Sequence, residues 1–279
     1  MPLTTGPLRR LDRIAEQIGR LEGVISDSPP EVFPTGIAPI DAAIPAGGLI
    51  RGGVHEWCSG NGGDGGDRVA TPSRSRRSDL WRSPFPLTIA LHLVGSIARA
   101  SAPFVCWIGR RTWPSCSALL ATGVPERSVF IDAPRAAERL WAGEVVLRSG
   151  TDTVVVLDGS GMDLTMTRRL QLAARGRGIA LLLRSDHELN TPSAASTRWR
   201  VSPMATSGTH PRWSVELVRC KGTQPTTGAP RRWGVEQKRD GTGVVCISEP
   251  LGDGSGATAD QTDRSERLGD SSVQARRSA

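Results

Sequence analysis

Five glycines fall within seven residues, Gly60-Asn-Gly-Gly-Asp-Gly-Gly66. Glycine lets successive backbone N–H groups turn toward one point, so such a loop can cradle an anion. Phosphate chemistry needs more: a Lys on the β- and γ-phosphates and a Ser or Thr hydroxyl on the metal. Here the chain continues Asp67-Arg68-Val69, and its two lysines stand far away at 221 and 238. Asp64 and Asp67 would each repel a phosphate by roughly 1 kcal/mol or more at ~4 Å, even in water-like surroundings. Arg68 is the cation beside the loop, but its forked guanidinium does not replace an ammonium. The loop over Gly60, Gly62, Gly63, Gly66 and Arg68 therefore reads as a vestigial phosphate loop. Asp158, which ends the apolar run Thr153–Leu157, is the carboxylate placed to complete such a site. It equally suits capping a turn.

Other chemistry finds less support. His55, His92, His187 and His210 are dispersed and make no HExxH spacing. Asp158-Gly-Ser-Gly161 follows an apolar run, so a turn is expected there and not a nucleophilic serine. The five cysteines, an odd number, show no CxxC pair. Buried, reduced thiols in a cytoplasmic protein are expected, with no metal site and no cofactor.

The elements that must position these residues are legible. Leu8, Leu11, Ile14, Ile18 and Leu21 form one stripe at helical spacing. Phe104–Ile108, Thr153–Leu157 and Ile179–Leu183 are continuous apolar runs. Strands apolar on both faces belong to a parallel sheet covered on two sides. Helices are expected over 87–100, 117–123, 134–149 and 163–175, with Ala137, Leu140, Trp141 and Val145 on one face of the third. After residue 190, Trp199 and Val201, then Trp213, Val215 and Leu217, alternate with polar residues. They predict half-exposed strands added antiparallel at the sheet edge. The expected fold class is α/β, a mostly parallel sheet flanked by helices with antiparallel strands at the C-terminal end. Residues 1–30 read as an N-terminal helix and linker, 31–248 as the core, 61–85 as a polar insertion, and 249–279 as a disordered tail.

The net charge is +7. Between Thr197 and Asp240 nine basic residues face three acidic ones. Such an excess points to an anionic partner, nucleic acid first. Arg198, Arg200, Arg212, Arg219 and Lys221 are the candidate contact residues. On a strand Arg198 and Arg200 share the face opposite Trp199 and Val201, and that Arg face is expected to be wet. The stripe of Leu8, Leu11, Ile14, Ile18 and Leu21 is the candidate assembly element. No apolar run reaches the ~20 residues of a membrane span, and the first residues lack the apolar stretch of a secretory signal.

The order Thr35-Gly36, Ile40-Asp41, Gly47-Gly48-Leu49, Gly52, Glu56, Gly60 resembles the opening of the RecA-type ATPase core. The run from Leu147 to Asp158 resembles that family's Walker B strand. Asp163-Leu-Thr-x-Thr-Arg-Arg-Leu-Gln-Leu-Ala-Ala174, Ala194-Ala-x-Thr-Arg-Trp-Arg-Val201 and Arg212–Gly222 resemble the ImuA branch, RecA-like and SulA-like accessory factors of bacterial damage-induced mutagenesis cassettes. The resemblance spans about residues 33–222. It implies a catalytic Glu after Phe104–Ile108, where this chain has Gly109-Arg110-Arg111, and a nucleotide-sensing Gln after Ile179–Leu183, where it has Arg184-Ser185. The expectation is a non-catalytic accessory factor in translesion synthesis that adapts an error-prone polymerase complex. Its implied partners are an ImuB-like Y-family protein and an alternative replicative-type polymerase subunit, with DNA contact and self-association as further expectations. A cytoplasmic, nucleoid-associated location follows. The rival expectations are a divergent RecA-type DNA-dependent ATPase using Arg68, and a SulA-type division inhibitor.

Overall fold

The computed structural model describes residues 31–44, 47–60, 86–175, 178–204, 210–221, 231–239, 241 and 243–247. The N-terminal stripe from Leu8 to Leu21, the insertion with Gly62, Gly63, Gly66 and Arg68, and the tail from 249 lie outside the described residues.

The elements in chain order are β1 (Val32–Phe33), α1 (Ala38–Ala43), β2 (Leu49–Ile50), β3 (Val54–Ser59), α2 (Leu87–Ala100), β4 (Phe104–Ile108) and α3 (Cys116–Thr122). There follow β5 (Ser128–Ile131), α4 (Ala136–Leu147), β6 (Thr153–Asp158), α5 (Leu164–Ala174), β7 (Ile179–Arg184), β8 (Thr197–Met204), β9 (Arg212–Cys220), β10 (Arg232–Gln237) and β11 (Val244–Cys246). β1 and β2 pair in a small antiparallel ribbon. The other nine strands form one sheet in the order β11-β10-β9-β8-β3-β7-β6-β4-β5. The six strands from β8 to β5 are parallel; β9, β10 and β11 extend the sheet antiparallel.

The apolar runs divide by the two-residue period of a strand. Val105, Trp107, Val154, Val156, Leu181 and Leu183 enter one core with Ile89, Leu93 and Ile97 of α2. Cys106, Ile108, Val155, Leu157 and Leu182 enter the other, with Leu140 and Leu147 of α4 and Leu170 of α5. The sheet is thus covered by helices on both faces, as the unbroken apolar runs require. Asp163 caps α5, its Oδ1 accepting from the Met166 N–H at 2.8 Å. At Gly143, a Cβ would stand 2.8 Å from Leu157 and 3.1 Å from Leu170. That glycine lets α4 approach sheet and neighbouring helix together.

Three expectations need correction. β8 runs parallel to β3, with Trp57 opposite Trp199, and antiparallel only to β9. It lies inside the sheet, because β7 and β8 flank β3 and β9–β11 add beyond β8. On α4, Leu140 is buried while Trp141 and Val145 are exposed. Leu140 and Trp141 are 100° apart on a helix, so only one of them faces the sheet. Of the cysteines, Cys58 and Cys106 are buried, Cys116 is exposed, and all five are free thiols.

Two histidines are held neutral inside the fold. The His55 Nε2–H donates to Ile50 O at 2.9 Å. Its Nδ1 lies 2.8 Å from Thr197 Oγ1, which also accepts from Trp199 Nε1 at 2.8 Å. Thr197 can therefore donate to the His55 Nδ1 only while that nitrogen is unprotonated. The His92 Nδ1 accepts from the Val244 N–H at 3.1 Å. Burial pushes both imidazoles down to about 4, with Arg99 and Lys238 adding to the effect at His92. Both values lie below the ordinary 6.5, so between pH 6.5 and 4 the unfolded chain binds protons that the folded chain excludes. Stability should therefore be fully present above pH 6.5 and fall as the pH drops toward 4, by on the order of a few kcal/mol for each histidine. Urea unfolding at pH 7, 5.5 and 4.5 checks this. A His92→Gln variant, with no group titrating at that site, should show a shallower decline. An identical decline would remove His92 from the account.

Candidate functional site at the carboxyl edge of the parallel strands

In open α/β sheets ligands bind beyond the carboxyl ends of the parallel strands. Here those ends carry Gly60 after β3, Gly109 after β4, Asp158 closing β6 and Arg184 closing β7. These four ends stand side by side, in the strand order β3-β7-β6-β4.

Asp158 is buried. Its Oδ1 accepts from the Ser160 N–H at 2.9 Å, closing its own turn. Beside it Gly109 has φ 89°, and a Cβ there would stand 3.0 Å from Asp158 Cβ and 2.9 Å from Arg139 Cδ. Arg139, buried on α4, donates to Asp158 O at 2.7 Å, Pro134 O at 2.6 Å and Ser160 O at 2.6 Å. One guanidinium thus fastens the β5–α4 loop to the turn after β6. Arg111 reaches across the edge, donating to Ser160 Oγ at 2.7 Å and Ser185 Oγ at 3.3 Å. Arg110 turns outward and pairs with Asp132 at 2.6 Å.

The loop from 185 to 196, between β7 and β8, is fastened more heavily. Glu188 accepts from the Gly161 N–H at 2.7 Å and from the Ser185 N–H at 3.3 Å. Glu56, inside β3, lies between two arginines: Arg184 Nε is 2.9 Å from Oε1 and Arg198 Nε is 2.5 Å from Oε2. Glu56 and Arg184 are wholly buried and Arg198 is 7% exposed. Arg184 also donates to Met162 O. Arg198 sends its two remaining nitrogens to Leu189 O and Thr191 O, both at 2.6 Å. Arg219 donates to Ser193 O at 2.8 Å and Ala195 O at 3.0 Å. Beside this network, burial foremost and Glu56 next push the Cys58 thiol up to about 12. Cys58 is therefore no nucleophile at neutral pH.

Gly60 has a packing role. Its N–H donates to Val201 O at 2.7 Å, and a Cβ would fall 2.1 Å from Ser202 Oγ and 2.9 Å from Arg200 Cγ.

The expectation of a wet Arg face on β8 is overturned at Arg198. An inner strand has neighbours on both sides, and the register places Arg198 opposite Glu56. Arg219 is also directed inward, to carbonyls. Arg200 and Arg212 remain partly exposed in cross-strand pairs: Arg200 with Glu216 at 3.0 Å, and Arg212 with Glu236 at 2.5 Å. Glu216 also takes Arg232 at 3.4 Å. Lys221 holds the end of β9 through its N–H to Ser196 O at 2.8 Å and is half-buried.

Sequence reasoning placed Glu56 in the resemblance but gave it no role at the site, and it missed Arg139 and Glu188. A signal existed for the first: a carboxylate inside the run Val54–Ser59 must be paired if the strand is buried. Among the described residues no cluster of three or more His, Cys, Asp or Glu is placed to hold a metal. No described helix is long and apolar enough to cross a membrane.

These features define an α/β protein with an open, mostly parallel sheet whose carboxyl edge is held together by arginine-to-carbonyl and arginine-to-carboxylate bonds. No family model matches the chain. It is 30% identical over 235 residues to Protein ImuA of Caulobacter vibrioides (strain NA1000 / CB15N), covering 77% of this chain and 87% of that protein. Protein ImuA of Caulobacter vibrioides (strain ATCC 19089 / CIP 103742 / CB 15) matches with the same figures. The chain belongs to the ImuA family.

Proposed function

We propose that this protein is a RecA-like accessory factor of damage-induced mutagenesis that adapts an error-prone polymerase complex and does not turn over ATP. The observation that carries this reading is what occupies the carboxyl edge. Where the RecA resemblance calls for a catalytic Glu, Arg111 bridges Ser160 and Ser185. Where it calls for a nucleotide-sensing Gln, Arg184 is buried against Glu56. Asp158 Oδ1 closes its own turn. A loop that must move with nucleotide state needs weak local bonds, and the loop 185–196 has strong ones. The fold then serves as a rigid platform, with an ImuB-like Y-family protein and an alternative replicative-type polymerase subunit as its partners in a nucleoid-associated complex.

Arg200, Arg212 and Lys221 are the contact residues of this proposal. The Arg200 and Arg212 ion pairs are partly exposed, so each guanidinium can exchange Glu216 or Glu236 for a phosphate or a partner carboxylate at little cost. The test is capture of the ImuB-like protein and of single-stranded DNA at two salt concentrations. Changing Arg200, Arg212 and Lys221 together to Ala should weaken capture and lower the salt slope by roughly one unit for each phosphate no longer neutralised. The melting temperature should hold nearly constant, because each change costs about 0.5 kcal/mol or less. Unchanged capture of both would remove this surface from the proposal.

A further inference from the structure

The outer face of α4 is unlike a solvated helix surface. Trp141 is 67% exposed and Val145 52%. They stand at i, i+4 spacing and share one stripe. α5 lies beside α4, joined by Arg169 to Glu144 at 2.6 Å. On α5, Leu172 is three residues from Arg169, on the same side, and is 48% exposed. Two adjacent helices thus present Trp141, Val145 and Leu172 outward, where charged residues are the rule. A group of exposed apolar side chains of this kind marks a candidate contact site.

The chain itself carries a segment of matching form. Leu8, Leu11, Ile14, Ile18 and Leu21 make an apolar stripe about four turns long. The described chain starts at Glu31, and its position is fixed. Glu31 accepts from Arg51 through backbone at 2.8 Å and side chain at 2.7 Å. Arg51 also pairs with Asp152, the residue before β6. Asp152 lies five residues beyond the end of α4, so Glu31 sits at the end of the molecule where α4 finishes. Nine residues separate Leu21 from Glu31, and the ten steps between their Cα atoms reach at most about 35 Å. Val145 lies within the last turn of α4, and Trp141 about 9 Å back from Leu147 along the axis. The spacing over 8–21 predicts a helix, and one lying beside α4 in the same direction would meet the stripe with linker to spare.

We propose that the segment Leu8–Leu21 of the same chain docks on the α4–α5 face and covers Trp141 and Val145. A stripe of five large aliphatic side chains gains most of its stability by being buried, and this face offers an apolar surface within reach.

Hydroxyl-radical footprinting of the full chain reads the docking directly. Trypsin releases Leu140–Arg148, a peptide whose one tryptophan is Trp141. Trp141 should oxidise several-fold more slowly in the parent chain than in a Leu11→Asp, Ile14→Asp, Ile18→Asp variant. Reciprocally, Trp141→Glu with Val145→Glu should raise tryptic cleavage after Arg13 and Arg20 several-fold. Both effects should be independent of protein concentration, with a monomer mass. Equal Trp141 oxidation in parent and variant overturns the proposal. So does cleavage after Arg13 that ignores the α4 substitutions. Protection that grows with concentration alongside a dimer mass also overturns it, assigning the face to a second copy.

Discussion

Replacing Glu56 with Ala should destabilise the protein by roughly 5 kcal/mol, comparable with the ~5–15 kcal/mol that holds a domain together. Glu56 is the one carboxylate between Arg184 and Arg198, and neither guanidinium can turn to water from where it is buried. Removing it leaves two buried cations side by side, each raising the cost of the other. The companion experiment replaces the whole network with apolar residues, Glu56→Leu, Arg184→Met and Arg198→Met. Buried ion networks exchanged this way often lose little stability, so the triple variant should recover most of the loss. It should not recover the fastening of the loop, because Leu189 O and Thr191 O lose the Arg198 donors. Chymotryptic cleavage after Leu189 should then be faster than in the parent. Urea midpoints and the rate of that cleavage measure both parts. A Glu56→Ala variant that unfolds at the parent's urea concentration would mean that the network is not buried as described.

Trp199→Ala should cost about 4–5 kcal/mol, the upper part of the range for a large aromatic truncated in a core. The indole is wholly buried. It stacks on Trp57, with ring centroids 5.0 Å apart and planes 5° from parallel, and it meets Trp233 at 6.3 Å. These contacts join the parallel half of the sheet, at β3 and β8, to its antiparallel extension at β10. Truncation leaves a cavity at that junction. It also removes the Trp199 Nε1–H that fixes the Thr197 hydroxyl toward His55. Trp199→Phe keeps most of the stack and loses only part of the volume and the N–H bond, so its loss should be well under half as large. Denaturant unfolding should rank the parent above Phe and Phe above Ala. Equal losses for Phe and Ala would show that the Thr197 bond, and not the stack, carries the effect.

The parallel strands were legible because burial on both faces writes itself as an unbroken apolar run, seen at Phe104–Ile108 and Ile179–Leu183. β10 was not. Its sequence, Arg-Trp-Gly-Val-Glu-Gln, carries a glycine and three polar residues, and its strand form comes from pairing with β9 and β11. The direction of β8 was equally unreadable, since the alternation of Trp199 and Val201 is the same in a parallel or an antiparallel neighbour. At the candidate site Gly60, Asp158 and Arg184 stood out as strand ends. Their partners did not. Arg198 looked wet by alternation alone, and what buries it is Glu56, 142 residues earlier. Nothing local to Arg198 encodes that contact. The same holds for Arg139, whose polar surroundings are four carbonyls brought together from separate loops.

Phosphate release from ATP tests the central proposal most directly, measured on the purified full chain with and without single-stranded DNA and the ImuB-like partner. With Arg111 bridging Ser160 and Ser185, and Arg184 buried against Glu56, no release above background is expected under any of these conditions. DNA-stimulated release that disappears in an Arg68→Ala variant would contradict it and make the protein a divergent ATPase working through the loop after Gly60.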